Sequence, residues 1–282
     1  MNNSDTERMQ CMEVWGGNRA TNRTFETPGL KIWIYSRPYR QATGGGDVYY
    51  LSSCASGRIT RILLADVSGH GEKVSHVATG LRDLMRRNVN YIKQTRFVRA
   101  MNRQFAQFSD QGGFATAVVS TFFAPTMMFT LSNAGHPTPL LLRKDTTAWS
   151  ELKLQATESK RMTDLPLGIL DDATYGQVEI RLQPGDAVLC YSDAVTESID
   201  SDGRQLGQAG VLNLVRSLEA DALEDVIPEL AVRLKRLSAD NLEQDDVTMM
   251  ICQATGSGPT LKDNLLAPFR LFGPVADHTV LD

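Results

Sequence analysis

The stretch GGGDVYYLSSCASGRITRILLADVSGHGEKVSHVATGLRDLM, residues 44–85, changes its hydrophobic period partway along. Val48 to Ser53 and Ile59 to Ala65 are apolar runs of strand length, joined by the turn Ala55-Ser56-Gly57-Arg58. From Glu72 the apolar residues fall at Val74, Val77, Ala78, Leu81, Leu84 and Met85, the i, i+3, i+4, i+7 spacing of an amphipathic helix. Asp47 and Asp66 therefore stand at strand ends, next to glycines and other small residues.

Outward from this stretch, Lys31 to Ser36 reads as a strand and Phe97, Met101, Phe105 and Phe108 mark a second helix. A β-rich region follows, with strands expected at Phe114–Phe123, Met127–Leu131, Pro139–Leu142, Gln177–Leu182 and Ala187–Tyr191. Helices return near 208–219 and 222–238, and Val247–Ala254 is a last strand. Long β runs broken by segregated helix pairs argue for an α+β fold with mainly antiparallel sheets. Residues 1–30 show no sustained periodicity and read as an irregular lead segment, 31–255 as one domain, and 256–282 as a tail.

At 282 residues the chain suffices for one large domain, and its 42% hydrophobic and 22% charged content is that of an ordinary globular protein. No run approaches the ~18 apolar residues of a membrane span, and MNNSDTERMQ lacks the apolar core of a signal peptide, so a cytoplasmic location is expected. A net charge of -4 gives no case for nucleic acid. Arg82, Arg86 and Arg87 read as a solvated helix face. The four cysteines are too dispersed for a zinc site or disulfide framework, and Cys190 and Cys252 sit in apolar, strand-like runs expected in the core.

Four acidic sites share one context, each at the end of an apolar strand beside small residues: GGGD at Asp47, LLADVSGHG at Asp66, VLCYSDAVTES at Asp193, and EQDDVTMMI at Asp245 and Asp246. Any one of these alone reads as a turn or cap residue. As a set, carboxylates that repel one another are costly unless a cation neutralises them, and oxygen ligands without cysteine or paired histidine favour Mg²⁺ or Mn²⁺.

These strings, with LSNAGHPTPLLLR at 131–143 and LPLGI at 165–169, resemble in order and spacing the SpoIIE-like branch of the PP2C (PPM) metal-dependent protein serine/threonine phosphatases. The resemblance runs from about residue 30 to 254. It implies an αββα sandwich of two mainly antiparallel sheets flanked by helix pairs. It also implies a dimetal-activated water that hydrolyses phosphoserine or phosphothreonine. Asp66 would bridge two divalent ions, Mn²⁺ or Mg²⁺, with the Val67 carbonyl as a further ligand. Asp47 would hold one ion directly or through water, while Asp193 and Asp245 hold the other. Asp246 would either bind metal or orient Asp245. Ala194 stands where the family usually has glycine.

His70, in a Gly-His-Gly turn, reads equally as the acid that protonates the leaving alkoxide or as a loop residue. His136 reads as a turn residue beside Asn133. The family analogy points to a phosphorylated protein as substrate, a STAS-domain protein of the anti-anti-sigma type in partner-switching signalling. The alternatives are a catalytically weak phosphatase-fold binding or scaffold protein, and a hydrolase of small phosphoesters. The oligomeric state stays open, a homodimer included.

Overall fold

The computed structural model describes residues 6–9, 11–54, 57–68, 72–108, 113–153, 164–258 and 276–278. In chain order come β1 (Thr6–Arg8), β2 (Glu13–Gly17), β3 (Thr21–Thr27), β4 (Leu30–Arg37), β5 (Asp47–Cys54) and β6 (Ile59–Val67), then α1 (Glu72–Asn88) and α2 (Gln94–Phe108). They are followed by β7 (Ala115–Phe123), β8 (Met128–Ala134), β9 (Leu140–Arg143), β10 (Ala148–Glu151), β11 (Val178–Arg181) and β12 (Ala187–Tyr191). The short α3 (Asp193–Thr196), α4 (Gly207–Arg216), α5 (Leu223–Leu237), β13 (Val247–Ala254) and β14 (Ala276–Asp277) complete the described elements.

Alternation along the strands sets the layers. In β6, Ile62 and Leu64 enter the core between the sheets, while Leu63, Ala65 and Val67 pack with Leu81, Met85, Phe97 and Phe105 of α1 and α2. In β12, Val188 and Cys190 face the middle layer and Leu189 and Tyr191 face the layer formed with α4 and α5. The result is helices, sheet, sheet, helices, with three apolar layers between them. One seven-stranded sheet has the order β1-β3-β4-β13-β12-β9-β10, and the other has β11-β8-β7-β6-β5-β2-β14. Neighbours are antiparallel except β1 with β3 and β14 with β2. This is the α+β sandwich expected from the sequence. No helix among the described residues is long and apolar enough to cross a membrane.

Two expectations are corrected. The segment read as irregular holds β1, β2 and β3, which extend both sheets. Their apolar residues are few, so the ladders to β4 and β5 hold them in place. Arg82 is not on a solvated face: its side chain is 2% exposed and reaches Asp83 at 2.8 Å and Asp277 at 2.5 Å, while the half-exposed Arg86 also bonds Asp277, at 2.7 Å. His278 beside it stacks on Trp15 of β2, with ring centroids 4.4 Å apart. The cysteines are free, and Cys190 and Cys252 lie in the middle layer as expected.

Asp277→Asn is therefore expected to destabilise the protein by about 1–3 kcal/mol, because it strips a buried guanidinium of one of its charged partners. Chemical denaturation of the two proteins measures the difference. A variant as stable as its parent would show that this pair contributes nothing.

Candidate metal centre

The middle apolar layer ends in polar side chains at one edge. On β5, Asp47 is in phase with Tyr49 and Leu51, and on β6, Asp66 is in phase with Ile62 and Leu64, all of them inter-sheet residues. The register pairs Asp47 directly with Asp66, and Asp66 directly with Thr116 of β7. Directly opposed residues on antiparallel strands share a face about 5 Å apart, so these three form a row. The facing sheet ends in hydroxyls: Thr248 of β13 and Ser36 of β4 bond each other at 2.9 Å, and the Thr248 N–H donates to Ser192 Oγ at 2.9 Å.

Asp193 begins α3, directly after β12, and Asp245 precedes β13. Asp246, in phase with Thr248 and Met250, accepts from the Tyr39 N–H at 2.6 Å through Oδ1 and from the Gly46 N–H at 2.7 Å through Oδ2. Both of its oxygens are thus engaged by the loop between β4 and β5. A Cβ on Gly45 would collide with that carboxylate, which explains the glycine run before Asp47. The Asp245 carboxylate accepts from the Asp246 N–H at 2.7 Å.

Electrostatics tie the set together. Burial, then Asp47, Asp193, Asp245 and Asp246, push the Asp66 carboxyl up to about 9. Burial also raises Asp47 well above the ordinary carboxylate range, against hydrogen bonds from Ser192 and Thr248 and with the charges of Asp246 and Asp193 adding to it. Burial is likewise the main cause of the rise at Asp193. Asp47 Oδ2 is buried with no hydrogen-bond partner. Among the described residues, no group of three or more His, Cys, Asp or Glu side chains is already gathered around a single point where an ion could sit. The raised pKa values of Asp47, Asp66 and Asp193, each with neighbouring aspartate charges among the causes, nevertheless place these carboxylates within reach of one another's field. All-oxygen, mutually repelling donors, one of them the unpartnered Asp47 Oδ2, are the set a hard divalent cation satisfies in charge and in chemistry.

Of the remaining expected residues, Val67 donates its N–H to the Gly46 carbonyl at 3.2 Å. His70 lies outside the described residues. Ala194 falls inside α3 and is not among the positive-φ residues, so its methyl adds no backbone strain. His136 does occupy a turn, exchanging hydrogen bonds with Asn133 at 2.8 and 2.9 Å, and it also reaches Thr116 Oγ1 through Nδ1 at 2.8 Å. Burial pushes its pKa down to about 3. Sequence reasoning missed Thr116, Ser192, Thr248 and Glu197. Glu197 lies near enough to Asp193 and Asp245 that their charges, after burial, raise its pKa. The strand phase was a usable signal for the hydroxyls.

The family model described as stage II sporulation protein E (SpoIIE) matches residues 56–255. The phosphoserine phosphatase RsbU of Bacillus subtilis (strain 168) is 25% identical over 224 residues, covering 79% of this chain; the chain spans 62% of RsbU's length. The structure of the RsbU and RsbW domains of Rv1364c from Mycobacterium tuberculosis superposes with a TM-score of 0.64 at 22% identity, over 87% of this chain and 68% of that one. The catalytic domain of the serine threonine protein phosphatase PstP, solved in complex with two manganese ions, superposes with a TM-score of 0.53 at 17% identity, over 81% of this chain and all of that one.

Proposed function

We propose, because the chain belongs to the stage II sporulation protein E family, that it is a PP2C-type phosphatase removing phosphate from serine and threonine in proteins. The observation that carries the reading is the direct pairing of Asp47 with Asp66 at the end of the sheet gap, with Asp47 Oδ2 buried and unpartnered and the charges of Asp193 and Asp245 raising the Asp66 pKa. Asp47, Asp66, Asp193, Asp245 and the Val67 carbonyl would hold two divalent cations, Mn²⁺ or Mg²⁺, with Asp246 clamping the β4–β5 loop against them. Such ions, when bound, polarise the phosphoryl group and acidify a water. The chain's own residues fix the two halves of the ligand set on rigid sheets and align them across the gap through Asp47, Ser192 and Thr248. No nucleophilic side chain is required. His70 is the candidate for delivering a proton to the leaving serine oxygen.

The working unit is residues 31–255, with the strands before it completing the sheets. The RsbU relative and the structure that joins RsbU and RsbW domains support a phosphorylated partner-switching protein as substrate, a STAS-domain protein of the cytoplasm.

Phosphate release from a phosphoserine peptide, a phosphorylated STAS-domain protein and a phosphotyrosine peptide, each with Mn²⁺, tests this. Both serine substrates are expected to turn over at least about tenfold faster than the tyrosine one, and the STAS protein fastest, since binding energy from the remote parts of a substrate raises the rate at the reacting centre. A preference for phosphotyrosine would overturn the assignment.

A further inference from the structure

Loop 135–139 closes the gap between the sheets at the carboxylate edge. His136 is 5% exposed there, and its backbone is fixed by the reciprocal bonds to Asn133. The following Thr138 carbonyl accepts from Tyr191 Oη at 3.1 Å and from Gln208 Nε2 at 2.7 Å, anchoring the loop to β12 and α4. The imidazole thus has no freedom to leave. Its Nδ1 contacts Thr116, the direct cross-strand neighbour of Asp66. Its Nε2 is buried with no partner at hydrogen-bonding distance.

In the neutral tautomer that carries its proton on Nε2, Nδ1 accepts. Thr116 is then the donor, and its single hydroxyl hydrogen is committed to His136. A threonine beside a buried carboxylate otherwise gives that hydrogen to the carboxylate, because a charge-assisted bond is the stronger one. A carboxylate capped in this way offers a cation one lone pair fewer.

We propose that His136, in the tautomer protonated on Nε2, is a positioning residue for metal binding: it draws the Thr116 hydroxyl hydrogen away from Asp66 and so keeps that carboxylate open to a divalent cation. The proposal rests on the metal-centre reading above. Its signature is a dependence between two residues, neither of which is a ligand. Without the imidazole, Thr116 turns to Asp66 and competes with the ion; without the Thr116 hydroxyl there is no competitor for His136 to hold back.

Mn²⁺ binding by titration calorimetry on the full chain decides this. His136→Leu is expected to weaken Mn²⁺ binding by about tenfold or more, the usual consequence of losing a residue that orients a ligand. Thr116→Val added to His136→Leu is expected to recover most of that loss, while Thr116→Ser and Thr116→Val alone bind within about twofold of the unaltered chain. A purely structural His136 predicts the reverse, with the double variant binding no better than the single one. That result, or His136→Leu binding as tightly as the unaltered chain, overturns the proposal. His136→Phe, a ring without nitrogen, serves the same comparison if the leucine variant does not fold. Failure of the unaltered chain to bind Mn²⁺ removes the metal reading and this proposal with it.

Discussion

Asp66→Ala is expected to lower kcat on phosphoserine substrates by about two to three orders of magnitude or more while the circular dichroism spectrum stays that of the parent. Asp66 feels all the other carboxylates of the set: Asp47 opposes it on β5, and the charges of Asp193, Asp245 and Asp246 also raise its pKa. Removing it deletes the one residue whose charge couples to all of them. The fold survives because Ile62, Leu63 and Leu64, which precede Asp66 on β6, keep their places in two apolar layers. The metal-free variant should also be more heat-stable than the metal-free parent, since a carboxyl raised to about 9 by burial and like charge costs the fold stability at every pH where the unfolded chain would have it ionised. A variant with parental kcat would remove Asp66 from the chemistry, and with it the dimetal reading.

Stripping the cations from the unaltered chain with excess EDTA is expected to reduce turnover to background and to expose a pH dependence of stability that metal hides. The sign follows from the carboxyl pKa values. Asp66 is raised in the folded state from 3.8 to about 9, so between those values the folded chain holds a proton that the unfolded chain has lost. Stability of the metal-free protein is therefore greatest in acid with respect to this group, and it is lost as pH rises from the ordinary carboxylate value through about 9. Asp47, also raised, acts in the same direction. Mn²⁺ or Mg²⁺ should reverse the trend by supplying the missing positive charge, and Tm should rise by about 2–4 °C for each kcal/mol gained. Asp47→Asn should raise the metal-free Tm at neutral pH and abolish the response to Mn²⁺, because it removes a ligand together with a carboxyl that must take up a proton to be buried. A metal-free Tm that climbs with pH across this window, or activity undiminished by the chelator, would contradict the electrostatic account of the site.

Much of the molecule was legible in the chain. The switch from strand-like runs to a helical stripe within residues 44–85 marked β5 and β6 within two residues of their observed ends, and the start of α1 at Glu72. The same reading placed β4, β13, α2, α4 and α5. Periodicity is written locally, and these segments carry enough apolar residues for it to show. The first three strands do not: TER, EVWGG and TNRTFET hold few apolar positions and are ordered by pairing with strands the local pattern cannot see.

The acidic set was likewise identifiable from its repeated context, since each aspartate ends an apolar strand beside small residues. Sequence by itself therefore determined most of the core elements, the layered class and the identity of the charged groups. Only the tertiary structure decided how those groups act. The β5–β6–β7 register aligned Asp47, Asp66 and Thr116, the β4–β5 loop took both oxygens of Asp246, and the chain's far end buried Arg82 beneath Asp277. Each of these depends on distances between segments up to about two hundred residues apart, and a hydrogen bond or a coulombic field is a function of that distance, which no local pattern encodes.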